Sequence, residues 1–383
     1  MAGRTRIGIF GTVLAISASL GQAMTAGPVA ASSSCTWWGN PQPLPVGASS
    51  GLSDVAVLSR CNAWVVGSSS SGHALLEHWN GQQWSVKKDP FVGSISDTLA
   101  ALVMTSASNG WAVGHTGENI GDSNTLIERR SSSHWAVQTS PSPGTAYTWL
   151  QGVDASSSTN AWAVGVEANS SPHGLKYKSI VEHWNGSHWR VQSEGVVSGT
   201  GAIATLGSKD VWVAGGSIIQ RWDGASWRNQ HAPAPPVGVT YVLSDLMARS
   251  QKDVWAVGWR MKTSVASHRT LIEHWNGRRW RIVKSPNAGT RGNALFSVMA
   301  TSGSNAWAAG ISGWSDNSSI PTATLVERWN GTAWHVQPSA DLGTGSNSLS
   351  GVDASSSTNA WAVGNYSTAQ SGGEVRPLAL HCC

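Results

Sequence analysis

A tryptophan followed by two small apolar residues and a glycine recurs seven times along the 383-residue chain. The spacing between copies is 43 to 54 residues. Self-similarity at about 40–50 residues is the sequence signature of β-propeller blades. The period therefore predicts an all-β fold, a single seven-bladed β-propeller of four-stranded antiparallel blades. The seven motif tryptophans are Trp64, Trp111, Trp162, Trp212, Trp255, Trp307 and Trp361.

Residues 243–286 display one complete unit. Strand a is predicted from Leu243, strand b from Val254, strand c from Leu271 and strand d from Trp280. Asn276-Gly277 between the last two strands predicts a two-residue type I′ hairpin, because that turn requires positive φ at both positions. By the same pattern the blades span about 51–90, 97–143, 148–193, 200–231, 243–286, 293–338, and 347–383 together with 35–43.

The last repeat ends before its strand d. Near the start of the chain, Trp37 is followed by Pro43 and Pro45, as Trp135 is followed by Pro141 and Pro143 in blade two. Residues 35–43 are therefore predicted to pair with residues 378–382. This N-terminal strand would complete blade seven and close the ring.

The four cysteines lie near the two ends of the predicted propeller. In the repeat alignment Cys382 takes the position of Trp275 and Cys35 that of Arg278, which face each other across a two-residue hairpin. Facing positions are about 5.5 Å apart, within reach of a disulfide. We expect a Cys35–Cys382 bond with Cys61 bonded to Cys383, or the exchanged pairing of Cys35 with Cys383.

Residues 1–31 have the pattern of a secretory signal peptide. Arg4 and Arg6 precede an apolar stretch at 7–20, which is too short to span a bilayer. Val29-Ala30-Ala31 offers a cleavage site, so the mature propeller is expected to cover residues 32–383. We expect a secreted, extracellular protein without a membrane segment, in which disulfides can form.

The strand-b glycine, the aromatic residue before a turn and the trailing Trp and Pro resemble the kelch repeat and its galactose-oxidase-like relatives. Kelch repeats have two glycines, whereas only Gly215-Gly216 is doubled here. Closer still is the resemblance to uncharacterised secreted bacterial propellers with repeats of the form NAWAVG…LIEHWNG..W. The resemblance implies a seven-bladed ring and no particular activity.

Nineteen of the 23 tryptophans occupy repeated positions, which favours packing between blades over sugar-stacking platforms. Trp38, Trp149, Trp259 and Trp314 lie outside those positions. Trp149 is predicted in the connection between blades two and three, and Trp259 and Trp314 in loops between strands b and c. These connections emerge on one face, so the three tryptophans are predicted to bind ligand. The alternative for Trp259 is a cap on strand b.

Loop side chains on that face are expected to satisfy the hydroxyl groups of a sugar, namely His173, Arg260 and Asn317. The repeated strand-c glutamates are instead expected to form a ladder of ion pairs or hydrogen bonds between blades. Asp54 and Asp245 are predicted near the central channel, where paired carboxylates are able to act as acid and base or to bind a cation or water. No residue is predicted to be catalytic. No histidine or cysteine spacing fits a metal site, and no cofactor is expected.

These patterns favour a secreted, non-enzymatic binding scaffold whose variable loops hold an extracellular glycan or protein. The alternative is an extracellular polysaccharide hydrolase or lyase that uses channel-facing carboxylates. The formal net charge is only +4, and no run of Lys or Arg exceeds two residues. Nucleic acid is therefore not an expected partner. We expect a monomer.

Overall fold

The computed structural model describes residues 38, 40–42, 44–47, 49–91, 96–117, 123–199, 201–262, 267–315, 320–370 and 373–382. Over these residues the chain forms 28 strands in seven four-stranded antiparallel sheets, one per blade. No helix is found in the described part of the chain. The prediction of a seven-bladed β-propeller is confirmed.

The first half of the chain contains β1, which belongs to blade seven, and β2 to β13, which form blades one to three. Their bounds are β1 (Asn40–Pro41), β2 (Gly51–Ser59), β3 (Asn62–Ser68), β4 (Ala74–Trp79), β5 (Trp84–Val86), β6 (Asp97–Ser106), β7 (Asn109–Thr116), β8 (Asn124–Ser131), β9 (His134–Gln138), β10 (Tyr147–Ser157), β11 (Asn160–Ser171), β12 (Gly174–Trp184) and β13 (Trp189–Glu194).

Blades four to seven contain β14 to β28. Their bounds are β14 (Ala202–Gly207), β15 (Asp210–Gly215), β16 (Ile218–Trp222), β17 (Trp227–Asn229), β18 (Val239–Ser250), β19 (Asp253–Lys262), β20 (Ser267–Trp275), β21 (Trp280–Val283), β22 (Gly292–Ser302), β23 (Asn305–Trp314), β24 (Ala323–Trp329), β25 (Trp334–Gln337), β26 (Asn347–Ser356), β27 (Asn359–Ser367) and β28 (Val375–Cys382).

The glycine that ends each tryptophan motif lies where strand b packs closely against strand a. A Cβ atom on Gly67 would stand 1.9 Å from the carbonyl oxygen of Gly51, a distance that no pair of heavy atoms tolerates. Strand a also bulges at this level, between Leu52 and Asp54. A bulge redirects the following side chain, and here it sends the Asp54 carboxyl group into the channel lining.

The turn between strands c and d differs from the predicted two-residue hairpin. Trp275 pairs with Trp280, so four residues form the turn. Gly277 has a φ of +87°, whereas the side chain of Asn276 accepts hydrogen bonds from the amides of Arg278 and Arg279. An asparagine that closes the turn with its side chain does not itself need positive φ. The type I′ assignment is therefore wrong.

The ring closes as predicted, with a shifted register. Asn40 pairs with His381 and Pro41 with Leu380, so β1 is the fourth strand of the sheet that contains β26, β27 and β28. With a four-residue turn, the position of Arg278 no longer faces that of Trp275. The geometric reason for pairing Cys35 with Cys382 therefore fails. The disulfide itself stays a prediction, because Cys35 and Cys383 lie outside the described residues.

Trp38 is part of the repeat core, which corrects the prediction that it stands outside. It is fully buried and packs edge-on against Trp307 of blade six, with ring centroids 6.5 Å apart. Trp37, predicted to fill the strand-d position, lies outside the described residues. The strand-d tryptophans of five other blades pack in the same way on the preceding strand-b indole, at 5.0–6.4 Å, namely Trp84, Trp135, Trp227, Trp280 and Trp334.

These indole pairs hold neighbouring blades together. Their ring planes meet at 67–89°, so the electropositive edge of one ring faces the electronegative face of the next. An edge-to-face aromatic pair contributes about 0.5–1.5 kcal/mol beyond the burial of its surface. Packing between blades, the predicted role of the repeated tryptophans, is therefore what these rings do.

Candidate functional site

Two of the three predicted ligand-binding tryptophans touch each other. The rings of Trp259 and Trp314, from blades five and six, are 5.4 Å apart at their centroids and meet at 76°. Between them lies His268, which is buried and stacks on Trp314 at 3.7 Å with the planes only 9° apart. We call Trp259 and His268 of blade five and Trp314 of blade six the blade-five/six aromatic cluster. Both indoles remain half-buried, so part of each ring faces solvent.

Trp149 belongs to a separate group. Its ring lies 4.7 Å from Tyr147 and 5.4 Å from His115 of blade two, and Tyr147 in turn lies 6.1 Å from Tyr177. We call His115, Tyr147, Trp149 and Tyr177 the blade-three aromatic cluster. Tyr177 is 60 % exposed, so this cluster also reaches the surface. The sequence reasoning missed its histidine and tyrosines, although they are single-copy aromatics close to strand ends.

All three tryptophans lie on strands, whereas loops and connections were predicted. Trp149 is in β10 and pairs with Val166, Trp259 is in β19 and pairs with Thr270, and Trp314 ends β23. Backbone pairing between neighbouring strands therefore extends through the positions of Trp149 and Trp259, where the sequence predicted a connection and a loop. Both clusters occur where strands b end and strands a and c begin, so they share one face.

The longest extension is a two-stranded ribbon in blade three. Pairing between β11 and β12 runs without interruption to Ser171 and Gly174, which leaves a two-residue turn. His173 is exposed in that turn. The predicted long loop is therefore a β-ribbon that carries Tyr177. Arg260 is exposed beside Trp259, and Asn317 lies outside the described residues.

Four aspartates line a central cavity of about 430 Å³ that is bounded by strand a of every blade. Each one accepts a hydrogen bond from a backbone amide of the next blade, at 2.6–2.9 Å: Asp54 from Leu102, Asp154 from Thr205, Asp245 from Val298 and Asp353 from Val57. Between blades six and seven, the hydroxyl oxygen of Ser297 accepts a hydrogen bond from the amide of Val352 at 3.2 Å. The four aspartates that line the cavity therefore connect neighbouring blades by hydrogen bonds.

Their environment favours the protonated form. Burial raises the pKa of Asp54 to about 8, and repulsion from Asp245 and Asp353 adds to this. Burial also raises the pKa of the other three carboxyl groups to about 6, against the opposing effect of their backbone hydrogen bonds. By solvent accessibility all four aspartates are only half-buried, because they line the central cavity.

The strand-c glutamates do not form the predicted ladder. They are at most 1 % exposed and make no ion pair within the described residues. Two of them reach the preceding blade: Ser285 donates to Glu327 at 2.8 Å, and the carboxyl group of Asp89 lies beside that of Glu128. Burial raises their pKa values to between about 7 and about 9, so the protein interior favours the neutral form of these acids. The set is Glu77, Glu128, Glu182, Glu273 and Glu327.

In several blades the residue after the strand-c glutamate, or the residue at the same position of the repeat, packs on the motif tryptophan. His183 stacks on Trp162 at 4.1 Å, and its Nε2 is 2.8 Å from Oδ1 of Asn160. His274 and His381 repeat this arrangement, whereas blade four uses Arg221 over Trp212. These side chains are therefore occupied in packing.

Among the described residues no group of three or more His, Cys, Asp or Glu side chains is arranged to hold a metal ion. In the same part of the chain no helix has the length and apolar character needed to cross a bilayer. Cys61 is exposed and has no disulfide partner among the described residues, which include neither Cys35 nor Cys383, while Cys382 is buried at the end of β28.

No family model matches this chain, and no curated protein matches it either. The kelch-like character of the repeats thus remains a resemblance. Among solved structures, YCF48 bound to a D1 peptide aligns with a TM-score of 0.53 at 12% identity, covering 91% of this chain and 98% of that one.

Two other solved structures align equally well. An ulvan lyase bound to its sugar ligand has a TM-score of 0.53 at 9% identity, covering 91% of this chain and 96% of that one. The xyloglucanase from Xanthomonas campestris has a TM-score of 0.53 at 11% identity, covering 88% of this chain and 55% of that one. At such identities the likeness shows the propeller fold alone.

Proposed function

We propose that the protein is a secreted, non-enzymatic scaffold that binds an extracellular glycan on the face carrying the two aromatic clusters. The observation that carries the proposal is the contact between Trp259 and Trp314 around His268. These single-copy rings contribute nothing to the repeated indole pairs between blades, yet they come together at the edge of the ring.

The chemistry suits a sugar. Half-buried indoles offer flat apolar surface for the C–H face of a pyranose ring, which is how such rings recognise sugars in water. Exposed Arg260 and Lys262 continue β19 beyond Trp259 and supply hydrogen-bond donors for hydroxyl groups. The blade-three aromatic cluster, with exposed Tyr177, provides a second platform on the same face.

The alternative, a polysaccharide hydrolase or lyase, depends on the channel carboxylates. It is less well supported because these aspartates already accept backbone hydrogen bonds from the neighbouring blade. The aligned structures include a peptide-bound protein and two whose names denote enzymes that act on polysaccharides. A propeller fold is thus compatible with both functions, and the site must decide between them.

The test is a glycan array followed by calorimetry on the best ligand. The double variant W259A/W314A should weaken binding about tenfold or more, because two stacking surfaces are lost. Its unfolding should remain cooperative. The matched control is I282A, which removes an exposed side chain from the outer strand of blade five and should bind normally.

Equal affinity of W259A/W314A and the native protein would refute this site. The enzyme alternative is tested on the same preparation by release of reducing sugar or unsaturated product from a polysaccharide panel. Turnover that disappears in D54N/D245N, in a variant that still folds, would establish the alternative in place of the scaffold.

A further inference from the structure

We propose that a cavity between the outer strands of blades one and two is a second ligand site, which binds a saccharide unit carrying a sulfate, phosphate or carboxylate group. The cavity has a volume of about 520 Å³, within the range of small-molecule sites. It is separate from the two aromatic clusters. Its lining consists of Trp64, His78, Lys87, Lys88, Pro90, Arg130, Ser133, His134 and Trp135.

The cavity exists because blade two departs from the repeat. Five other blades have a tryptophan at the end of strand c. In four of them its ring packs at 5.1–6.2 Å on the strand-b indole of the preceding blade, namely Trp79, Trp222, Trp275 and Trp329. Blade two has Arg130 at this position. Its guanidinium lies 4.5 Å from the centroid of the Trp64 ring. A thinner side chain in place of an indole leaves open space beside it.

The lining is strongly basic. Lys87, Lys88 and Arg130 converge on the cavity, and no acidic residue is among the lining residues. None of the three cations forms an ion pair within the described chain, in contrast to Arg221, which pairs with Asp210 at 2.7 Å. Arg130 uses its Nε to donate to the carbonyl oxygen of Ala107 and keeps its other donors.

The nearest carboxylate on the same strand end does not neutralise these cations. Asp89 precedes Pro90 but lies beside the buried carboxyl group of Glu128, and Asp97 lies close to both. The positive field is also visible at His78. Burial lowers its pKa to about 4, and Lys87 and Arg130 add to that effect.

The other residues that line the cavity indicate which kind of molecule bears the anionic group. A lone inorganic ion would fill only a small part of 520 Å³. Pro90 and Trp135 line the cavity and offer apolar contact, while Ser133 and exposed His134 offer polar groups for hydroxyls. Oxyanion-binding cations next to ring surfaces and hydroxyl partners match an acidic sugar.

The experiment measures binding of glucose 6-sulfate, glucose 6-phosphate, glucuronate and glucose by titration calorimetry at low ionic strength. At least one charged sugar should bind, glucose should bind at least tenfold more weakly, and added salt should weaken the interaction. Comparison of the three charged sugars identifies the group that the site takes. Failure of all three to bind, or equal binding of glucose, would overturn the proposal.

Two variants locate the site. K87Q/K88Q should weaken binding of the charged sugar about tenfold. R130W rebuilds the indole found in other blades, so it should abolish binding while keeping or raising the melting temperature. The matched control K284Q removes the exposed lysine at the position of Lys88 in blade five and should bind normally. Unchanged affinity in both K87Q/K88Q and R130W would place the binding elsewhere and refute the assignment.

Discussion

The amide of Val57 donates a 2.6 Å hydrogen bond to the carboxylate of Asp353, although 296 residues separate them. The bond joins blade seven to blade one, at the seam that β1 also closes by pairing with β28. Residues 351–364, which include Asp353, have the same fourteen-residue sequence as residues 152–165. In that second copy the carboxylate of Asp154 accepts a hydrogen bond from the amide of Thr205 at 2.6 Å. The same local sequence therefore forms one hydrogen bond between blades seven and one, where the ring closes, and one between blades three and four, which are consecutive in the chain.

This duplication gives a matched pair of variants. D353A and D154A should each lower the free energy of unfolding by about 1–3 kcal/mol, because each leaves a buried amide without its acceptor. Only D353A should also loosen the seam. Hydrogen exchange should therefore accelerate in peptides covering 51–59 and 375–382 in D353A alone. Equal exchange of those peptides in both variants would show that the seam has no special dependence on Asp353.

Trp38 is expected to matter as much as a strand-d tryptophan of an ordinary blade. W38A should destabilise the protein by about 3–5 kcal/mol, the usual cost of removing a large buried aromatic side chain. W334A makes the same change in blade six, where Trp334 is also buried against a strand-b indole. Denaturant unfolding of both variants checks the prediction. A W38A protein as stable as the native one would contradict the assignment of Trp38 to the core.

The repeat was readable from sequence because its period and its hairpin spacing come from packing that every blade must satisfy. The position of the closing strand was harder to predict, because Trp37 and Trp38 are adjacent and fit the spacing to the prolines almost equally well. Only the contact with Trp307 identifies Trp38. The predicted type I′ turn added to the error by shortening the hairpin by two residues.

The sequence predicted the face on which Trp149, Trp259 and Trp314 lie, but it did not predict that they lie on strands. The tip of the blade-three ribbon, residues 169–174, consists of residues typical of turns, which favours a loop in sequence reasoning. The alternation of apolar and polar residues at 166–169 and 175–178 was the signal for its two strands. The contact between Trp259 and Trp314 depends on two blades meeting, which no local pattern reports. Arg130 in place of a repeat tryptophan was a visible signal for the second cavity.

The disulfide remains a prediction. A bond from Cys35 to Cys382 or Cys383 would close a loop of about 350 residues, worth on the order of 5–6 kcal/mol in the chain-entropy model. Reduction should therefore lower the melting temperature. Peptide mapping under non-reducing conditions identifies the partners, with C35S as the control that should make the melting temperature insensitive to reductant. Recovery of Cys35 as a free thiol from the oxidised protein would rule out the bond.

The buried glutamates predict that stability falls as the pH rises from about 5 to 8. Burial raises their folded-state pKa values above the ordinary value of 4.5, so the folded protein binds more protons than the unfolded chain in this range. Their contribution is fully present below pH 4.5 and is lost as the pH rises through the folded-state pKa, at about 1.4 kcal/mol per pKa unit.

His78 and His381 act in the opposite direction. Burial lowers their pKa values to about 4, so they destabilise the folded state as the pH falls below the ordinary histidine value of 6.5. The opposing slopes place maximal stability in the mildly acidic range. Thermal unfolding between pH 4 and 9 measures the resulting profile.

Glu182 provides the decisive variant for this profile. It is fully buried, neither carboxyl oxygen has a hydrogen-bond partner in the part of the chain that the structure describes, and burial raises its pKa to about 8. E182Q has the shape of the neutral acid but does not titrate, so it should flatten the loss of stability between pH 5 and 8. E374Q changes an exposed glutamate and should leave the slope unchanged. An E182Q protein that loses stability as steeply as the native one would show that Glu182 does not fold as a neutral acid.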